Sequence, residues 1–126
     1  MLDFAGLTLT WRPNQYLVAP AGLCRHAKPH RESPHFATPP AELARRLEAA
    51  LADEPRLTWL ARDSDGLGGR LVQRSRVFRF PDLIDLRILP AGDGGSALAI
   101  YSRARYGIRD FGVNRERVER WLARLH

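Results

Sequence analysis

The alternation of apolar and polar residues between Leu57 and Tyr106 is the sequence feature that most constrains the fold. Apolar side chains at every second position are typical of β-strands that bury one face. Clusters of glycine, proline and aspartate interrupt the alternation and mark turns. Four strands are therefore predicted, at 57–62, 70–80, 83–89 and 97–106. Because the connections between them are short, with Pro81-Asp82 as a tight turn, we expect the strands to pair antiparallel as a meander.

Two amphipathic helices bracket this strand region. One is predicted at 39–53, where leucines recur with helical spacing, and the other at 114–125, where Trp121 belongs to a similar apolar stripe. Shorter apolar segments at 7–11 and 16–19 favour extended structure near the N-terminus. The pattern predicts an α+β fold, an antiparallel sheet of about four to five strands with the two amphipathic helices packed on one face.

The length and the composition bound the organisation of the chain. A chain of 126 residues fits a single domain over 1–126, with an ordered loop rich in proline and histidine at about 20–40. Cys24 is the only cysteine, so no disulfide can form within the chain. No segment approaches the about 20 apolar residues that a membrane span needs. We therefore expect a cytoplasmic protein without a membrane partner.

The charge balance favours an anionic partner. Lysine and arginine number 20 against 14 acidic residues, which gives a formal net charge of +6, and only Lys28 is a lysine. Arginine pairs with carboxylate and phosphate through a planar fork of donors and stacks on aromatic rings. The alternative interpretation is a genome whose base composition favours arginine codons over lysine codons.

The strand register predicts a basic and aromatic sheet face opposite the helices. Its members are Arg74, Arg76, Phe78, Asp85, Arg87, Tyr101, Arg103 and Arg105. Arginines interleaved with aromatics suit a small anionic ligand, a protein partner or single-stranded nucleic acid. In the alternative interpretation the face is only solvated, and Asp85 and Asp110 pair with the arginines across strands.

Catalytic and metal-binding motifs are weak by comparison. Cys24, His26, His30 and His35 lie close together in sequence, but their spacing matches no zinc pattern. No carboxylate pair, phosphate-binding glycine loop or nucleophile elbow occurs. We predict no catalytic residue, no metal ligand and no cofactor, and we consider an enzyme less favoured than a binding protein.

Four motifs resemble a known family. They are Pro13-Asn-Gln-Tyr-Leu-Val-Ala-Pro20, Phe78-Arg-Phe-Pro-Asp82, Tyr101-Ser-Arg-Ala-Arg-Tyr-Gly107 and Asp110-Phe-Gly-Val-Asn-Arg115. Together they resemble a bacterial family of uncharacterised proteins, domain-of-unknown-function family 1499, over nearly the whole chain. The resemblance implies no established activity, ligand or cofactor.

The candidate residues come from the basic sheet face and from the matched motifs. The predicted ligand-binding set is Arg74, Arg76, Arg87, Tyr101, Arg103, Arg105, Asp110 and Asn114. One hypothesis directs Arg103 and Arg105 toward the N-terminus of the last helix, whose free N–H groups also favour an anion. A structural alternative has Asn114 capping that helix while Asp110 neutralises Arg103 or Arg105.

The function predicted from the sequence is a binding or interaction module for an anionic small molecule or protein partner. The alternatives are an enzyme of unknown reaction and a nucleic-acid-binding protein.

Overall fold

The computed structural model describes residues 2–125, and within them six strands and two α-helices form. The strands are β1 (Gln15–Ala19), β2 (Arg31–Glu32), β3 (Leu57–Arg62), β4 (Gly68–Arg74), β5 (Pro81–Pro90) and β6 (Ser96–Ala104). The helices are α1 (Pro40–Leu51) and α2 (Val113–Ala123). A single 3₁₀ turn at Gly92–Gly94 joins β5 to β6. Neither α-helix is long and apolar enough to cross a lipid bilayer.

The strands form one mixed sheet in the order β2-β1-β6-β5-β4-β3. The four consecutive strands from β3 to β6 pair antiparallel, which confirms the predicted meander. β1 then adds antiparallel to β6, and β2 pairs parallel with β1. The prediction of about four to five strands was therefore slightly low. It missed β2, whose two residues lie in the 20–40 segment and show no periodicity.

Both helices pack on one face of the sheet, as predicted. Leu43 and Leu47 of α1 and Trp121 of α2 belong to one buried cluster with Ile84 and Ile100 of the sheet. Helix α1 begins at Pro40, where the missing N–H costs little because the first turn has no intrahelical acceptor. This cluster is the main core of the molecule.

A second, smaller cluster covers part of the opposite face. Phe4 and Leu7 from the N-terminal segment pack on Leu17 of β1 and on Ala99 and Tyr101 of β6. The segment 7–11, predicted to be extended, forms no strand. Leu7 is buried and Leu9 is partly buried against the sheet, which accounts for the alternation. Among residues 2–125 the segment nevertheless pairs with no strand.

The end of β4 also differs from the prediction. The strand predicted at 70–80 stops at Arg74, and residues 75–80 form a loop. Arg74 is the register partner of Pro81, so the chain must reverse within this loop. The loop is closed by the N–H of Ser75, which donates to the carbonyl of Phe80 at 3.0 Å. Pro81 therefore begins β5 instead of forming the turn.

Candidate functional site

Asp85 organises the charges on the sheet face opposite the helices. Its carboxylate is buried and accepts two bonds from Arg70, from Nε at 2.9 Å and from Nη2 at 3.2 Å. Arg103 Nη1 donates to the same carboxylate at 2.6 Å. A buried carboxylate needs such partners to offset its lost hydration. The pairing of Asp85 with cross-strand arginines, one of the two alternatives drawn from the sequence, is therefore confirmed.

Arg103 and Tyr101 are bound within the fold. The Arg103 guanidinium lies 4.6 Å from the centre of the Tyr101 ring, a cation–π contact. The Tyr101 hydroxyl donates to Oε1 of Gln15, and burial raises the pKa of this phenol. The hypothesis that Arg103 projects toward the N-terminus of α2 was wrong, because Arg103 lies on the face away from both helices.

Arg87 is engaged in the same way by the β3–β4 loop. Its guanidinium donates to Asp63 at 2.9 Å and to Asp65 at 2.6 Å. The bonds from Arg87 lower the pKa of Asp65 to about 2. These ion pairs hold the β3–β4 loop against β5, and the Arg87 charge is compensated by two carboxylates. The middle of the predicted basic face is thus compensated by acidic side chains.

Asn114 lies on the other side of the sheet, beneath α2. It is fully buried, and its Oδ1 accepts a bond from the Ser102 hydroxyl at 2.6 Å. Its Nδ2 donates to the carbonyl of Asn14 at 3.2 Å. The prediction that Asn114 caps the helix was wrong, because α2 begins at Val113 and leaves Asn114 inside the first turn.

Asp110 supplies the cap instead. Its carboxylate accepts the backbone N–H of Gly112 at 2.9 Å and of Asn114 at 3.1 Å, and also Nδ2 of Asn114 at 2.7 Å. These bonds satisfy N–H groups at the start of α2 and place negative charge at the positive end of its dipole. The prediction that Asp110 neutralises Arg103 or Arg105 was wrong, because Arg103 pairs with Asp85 and, within residues 2–125, Asp110 forms no ion pair.

Arg117 is the central residue of this buried network, and the sequence reasoning missed it. The guanidinium donates to Gln73 at 2.6 Å, to Asn114 at 2.7 Å and to Asp82 at 2.7 Å. Burial raises the pKa of Asp82, the Arg117 charge opposes that shift, and the nearby Asp110 charge adds to it. Helical spacing could have revealed the burial of Arg117, because Asn114, Arg117 and Trp121 lie on the same buried side of α2.

The network holds two loops together at one end of the sheet. The N–H of Arg105 donates to the carbonyl of Pro81 at 3.1 Å, which ties the β6–α2 connection to the start of β5, directly after the β4–β5 loop. Asn14 Nδ2 donates to the carbonyl of Gly107 at 2.8 Å. We call residues 75–80 and 105–111 the loop tip.

The loop tip combines exposed apolar side chains with arginines. Phe78 is 73% exposed and Phe111 is 92% exposed. The further exposed apolar residues of the loop tip are Val77, Phe80, Tyr106 and Ile108. Its arginines are Arg76, Arg79, Arg105 and Arg109, and Arg74 adjoins them at the end of β4. Within residues 2–125 none of these five forms an ion pair.

Arg76, Phe78 and Arg105 therefore lie in the loop tip and not on the predicted sheet face. Strand β4 ends before Arg76, and β6 ends at Ala104. Of the eight predicted ligand-binding residues, Arg76 and Arg105 reach the tip and Arg74 borders it. Asp110 also lies within the loop tip, but its carboxylate is directed to the start of α2. Arg87, Tyr101, Arg103 and Asn114 make the internal contacts described above.

His30 and Cys24 of the 20–40 segment contribute to packing within the fold. His30 Nδ1 accepts the N–H of Leu17 at 2.9 Å and its ring stacks on Tyr16, and burial lowers its pKa. Burial raises the pKa of the Cys24 thiol. Across residues 2–125, no three His, Cys, Asp or Glu side chains are grouped to hold a metal ion.

A partly open cavity lies between α1 and the β3–β4 loop. It measures about 130 Å³ and is lined by Leu47, Trp59, Leu67 and Leu86 among others. Pockets for organic ligands usually exceed about 300 Å³. Arg62 also lies over the Trp59 ring at 4.1 Å and pairs with Glu48 beside the cavity. The cavity is too small for a typical substrate.

The sequence comparison identifies the family. The family model described as protein of unknown function, DUF1499, matches residues 8–125. The chain belongs to this family. No curated protein and no solved structure matches it.

The four motifs that resemble DUF1499 meet at one end of the sheet in this member of the family. Asn14 comes from the first motif, Asp82 from the second, Ser102 from the third and Asn114 from the fourth. All four belong to the buried network described above. In this DUF1499 chain the motifs therefore build the junction that holds the loop tip.

Proposed function

We propose that this DUF1499 chain is a binding module for an anionic partner, and that the loop tip is its binding surface. The observation that carries the proposal is the separation of two kinds of arginine. Arg87 and Arg103 on the sheet face are neutralised by aspartates, whereas Arg76, Arg105 and Arg109 are exposed and lack an ion pair within residues 2–125. Clustered, uncompensated cations attract anions and speed their association.

The exposed apolar residues of the loop tip support the same surface. Large aromatics such as Phe78 and Phe111 are usually buried, and their grouping in two adjacent loops is typical of an interaction site. The buried network fixes these loops from below. A surface held in place in this way loses little conformational entropy when a partner binds.

Retention on immobilised heparin, a dense sulfated polyanion, tests the electrostatic part of the proposal. The test variant is Arg76→Gln/Arg105→Gln/Arg109→Gln. The matched control is Arg25→Gln/Lys28→Gln/Arg45→Gln, which removes three exposed cations elsewhere. Each triple variant lowers the formal net charge from +6 by the same three units. Thermal unfolding followed by circular dichroism establishes that both variants fold.

The two variants should elute at different salt concentrations. We expect the wild type and the control to need similar salt for elution and the loop-tip variant to elute much earlier, since each lost ionic contact reduces the salt dependence of binding. Equal shifts in the two folded variants would mean that heparin senses only net charge. The loop tip would then not be the binding surface.

A further inference from the structure

We infer that the anionic partner of the loop tip is the surface of a lipid membrane that contains acidic lipids, with the apolar side chains inserting between headgroups. The inference rests on the proposed function and specifies its partner. The sequence prediction of no membrane partner considered only spanning segments. Peripheral binding through loops requires no such segment.

The order of residues in both loops suits a membrane interface. One loop reads Arg76-Val-Phe-Arg-Phe80 and the other reads Arg105-Tyr-Gly-Ile-Arg109, followed by Asp110 and Phe111. Aromatic side chains prefer the headgroup region of a bilayer, and adjacent arginines can bind lipid phosphates. The loop tip therefore presents both kinds of group that a membrane interface binds.

Phe111 is the residue that most needs an external partner. Its side chain is 92% exposed, and its backbone φ of 53° lies in the left-handed region. A bulky residue in this conformation is strained, and strain of this kind concentrates at functional sites. The fold thus holds an aromatic ring outward at a conformational cost, and insertion into a bilayer would bury that ring.

The stacked pair Phe78 and Phe80 projects from the neighbouring loop. Their ring centres lie 5.5 Å apart, and both side chains remain mostly exposed. Aliphatic Val77 and Ile108 lie in the same two loops and are also exposed. Aliphatic groups gain from hydrocarbon contact but offer nothing for bases to stack on.

The shape of the surface favours a membrane over single-stranded nucleic acid. Nucleic-acid-binding sheets present aromatics on an open platform along which successive bases stack. Here the corresponding sheet face carries the N-terminal segment and the ion pairs of Asp85. The exposed aromatics lie instead in loops beyond the strand ends, where a planar bilayer can approach them.

Co-sedimentation with vesicles tests the inference on the full chain. Vesicles of phosphatidylcholine alone are compared with vesicles that also contain phosphatidylserine. The variants are the heparin triple variant and the charge-neutral Phe78→Ser/Phe111→Asn. Leu60→Ser is the control, because Leu60 is an exposed apolar residue of β3 outside the loop tip.

We expect the wild type and Leu60→Ser to bind the acidic vesicles and to bind phosphatidylcholine weakly. The aromatic variant should bind acidic vesicles about tenfold more weakly, because it loses apolar contact. The arginine variant should lose about fivefold for each arginine removed. The aromatic variant should still bind heparin, since its cations are unchanged.

Other outcomes separate the inference from the proposed function. If the wild type binds heparin through its loop-tip arginines but not acidic vesicles, the membrane inference is wrong and the proposed function stands. If the aromatic variant binds acidic vesicles as tightly as the wild type does, the inference that the apolar side chains insert between headgroups is wrong. A single-stranded oligonucleotide that binds more tightly than vesicles, and loses affinity in the aromatic variant, would identify nucleic acid as the partner.

Discussion

Arg117 places a positive charge between α2 and the sheet, where its hydrogen bonds reach Gln73, Asp82 and Asn114. We expect Arg117→Met to lower the free energy of unfolding by about 3 kcal/mol, because Asp82 would lose the cation that compensates its burial. Denaturant titration measures the change. Arg45→Met, at an exposed position of α1, should change stability by less than about 0.5 kcal/mol. A similar small effect at Arg117 would mean that the ion pair contributes little.

Replacing Phe111 should stabilise the protein, whereas replacing Arg117 should destabilise it. Asparagine tolerates positive φ better than phenylalanine, so Phe111→Asn should raise the free energy of unfolding by about 1 kcal/mol. Tyr106→Asn is the control, since Tyr106 is also exposed but does not have positive φ. Thermal unfolding compares the two variants. Equal effects would show that the gain comes from removing an exposed aromatic and not from relief of strain.

At the scale of elements, Glu54 joins the end of α1 to β4 and α2. Its buried carboxylate accepts Gln73 Nε2 at 3.1 Å, Trp121 Nε1 at 2.9 Å and Arg120 Nη2 at 2.8 Å. Burial alone would raise the pKa of Glu54, but these hydrogen bonds and the Arg120 charge lower it from 4.5 to about 2. The folded protein therefore binds a proton on this group less readily than the unfolded chain does.

The stabilisation from ionised Glu54 should depend on pH. It is fully present above about pH 4.5 and is lost as the pH falls toward about 2. We expect Glu54→Gln to cost about 3 kcal/mol at neutral pH and progressively less below pH 4.5. Denaturant titrations across this range measure the difference. Glu48→Gln, at a half-exposed ion pair, is the control and should cost less than about 1 kcal/mol at neutral pH.

The sequence predicted the elements whose periodicity matches their burial. The meander and both helices were recovered because Leu43, Leu86 and Trp121 repeat with the period of their element. The β4 boundary was missed because Val77 continues the alternation although its side chain points into solvent. β2 could not be found, since its position depends on pairing with β1 across the 20–40 segment.

The candidate site was predicted less well, for a physical reason. Parity correctly placed Arg103 on the sheet face opposite the helices, because alternation along a strand fixes the face of each residue. The partner of each charge depends on register between strands, which the sequence alone does not reveal. Arg117 was missed because an arginine in an amphipathic helix usually faces water.

At the scale of the whole molecule, apolar clusters cover the sheet from both sides near β6. We expect amides such as those of Leu86 and Ile100 to exchange hydrogen only through global unfolding. Amides of Val77 and Ile108 in the loop tip should exchange through local opening, and should slow when acidic vesicles are added. Hydrogen exchange read by mass spectrometry follows both regions. Equally slow exchange in the two regions without vesicles would contradict this expectation.

The pairing of β1 with β6 has a consequence for the growing chain. Tyr101 bonds Gln15 across 86 positions of sequence, and Leu17 and Val18 are buried on opposite faces of β1 only once β6 is in place. Until ribosomes have made β6, β1 has only the two residues of β2 as a strand neighbour and its edge toward β6 is unpaired, and closing such a long loop is slow. Newly synthesised chains should therefore depend on chaperones, or on rapid completion, to keep β1 from pairing with another molecule.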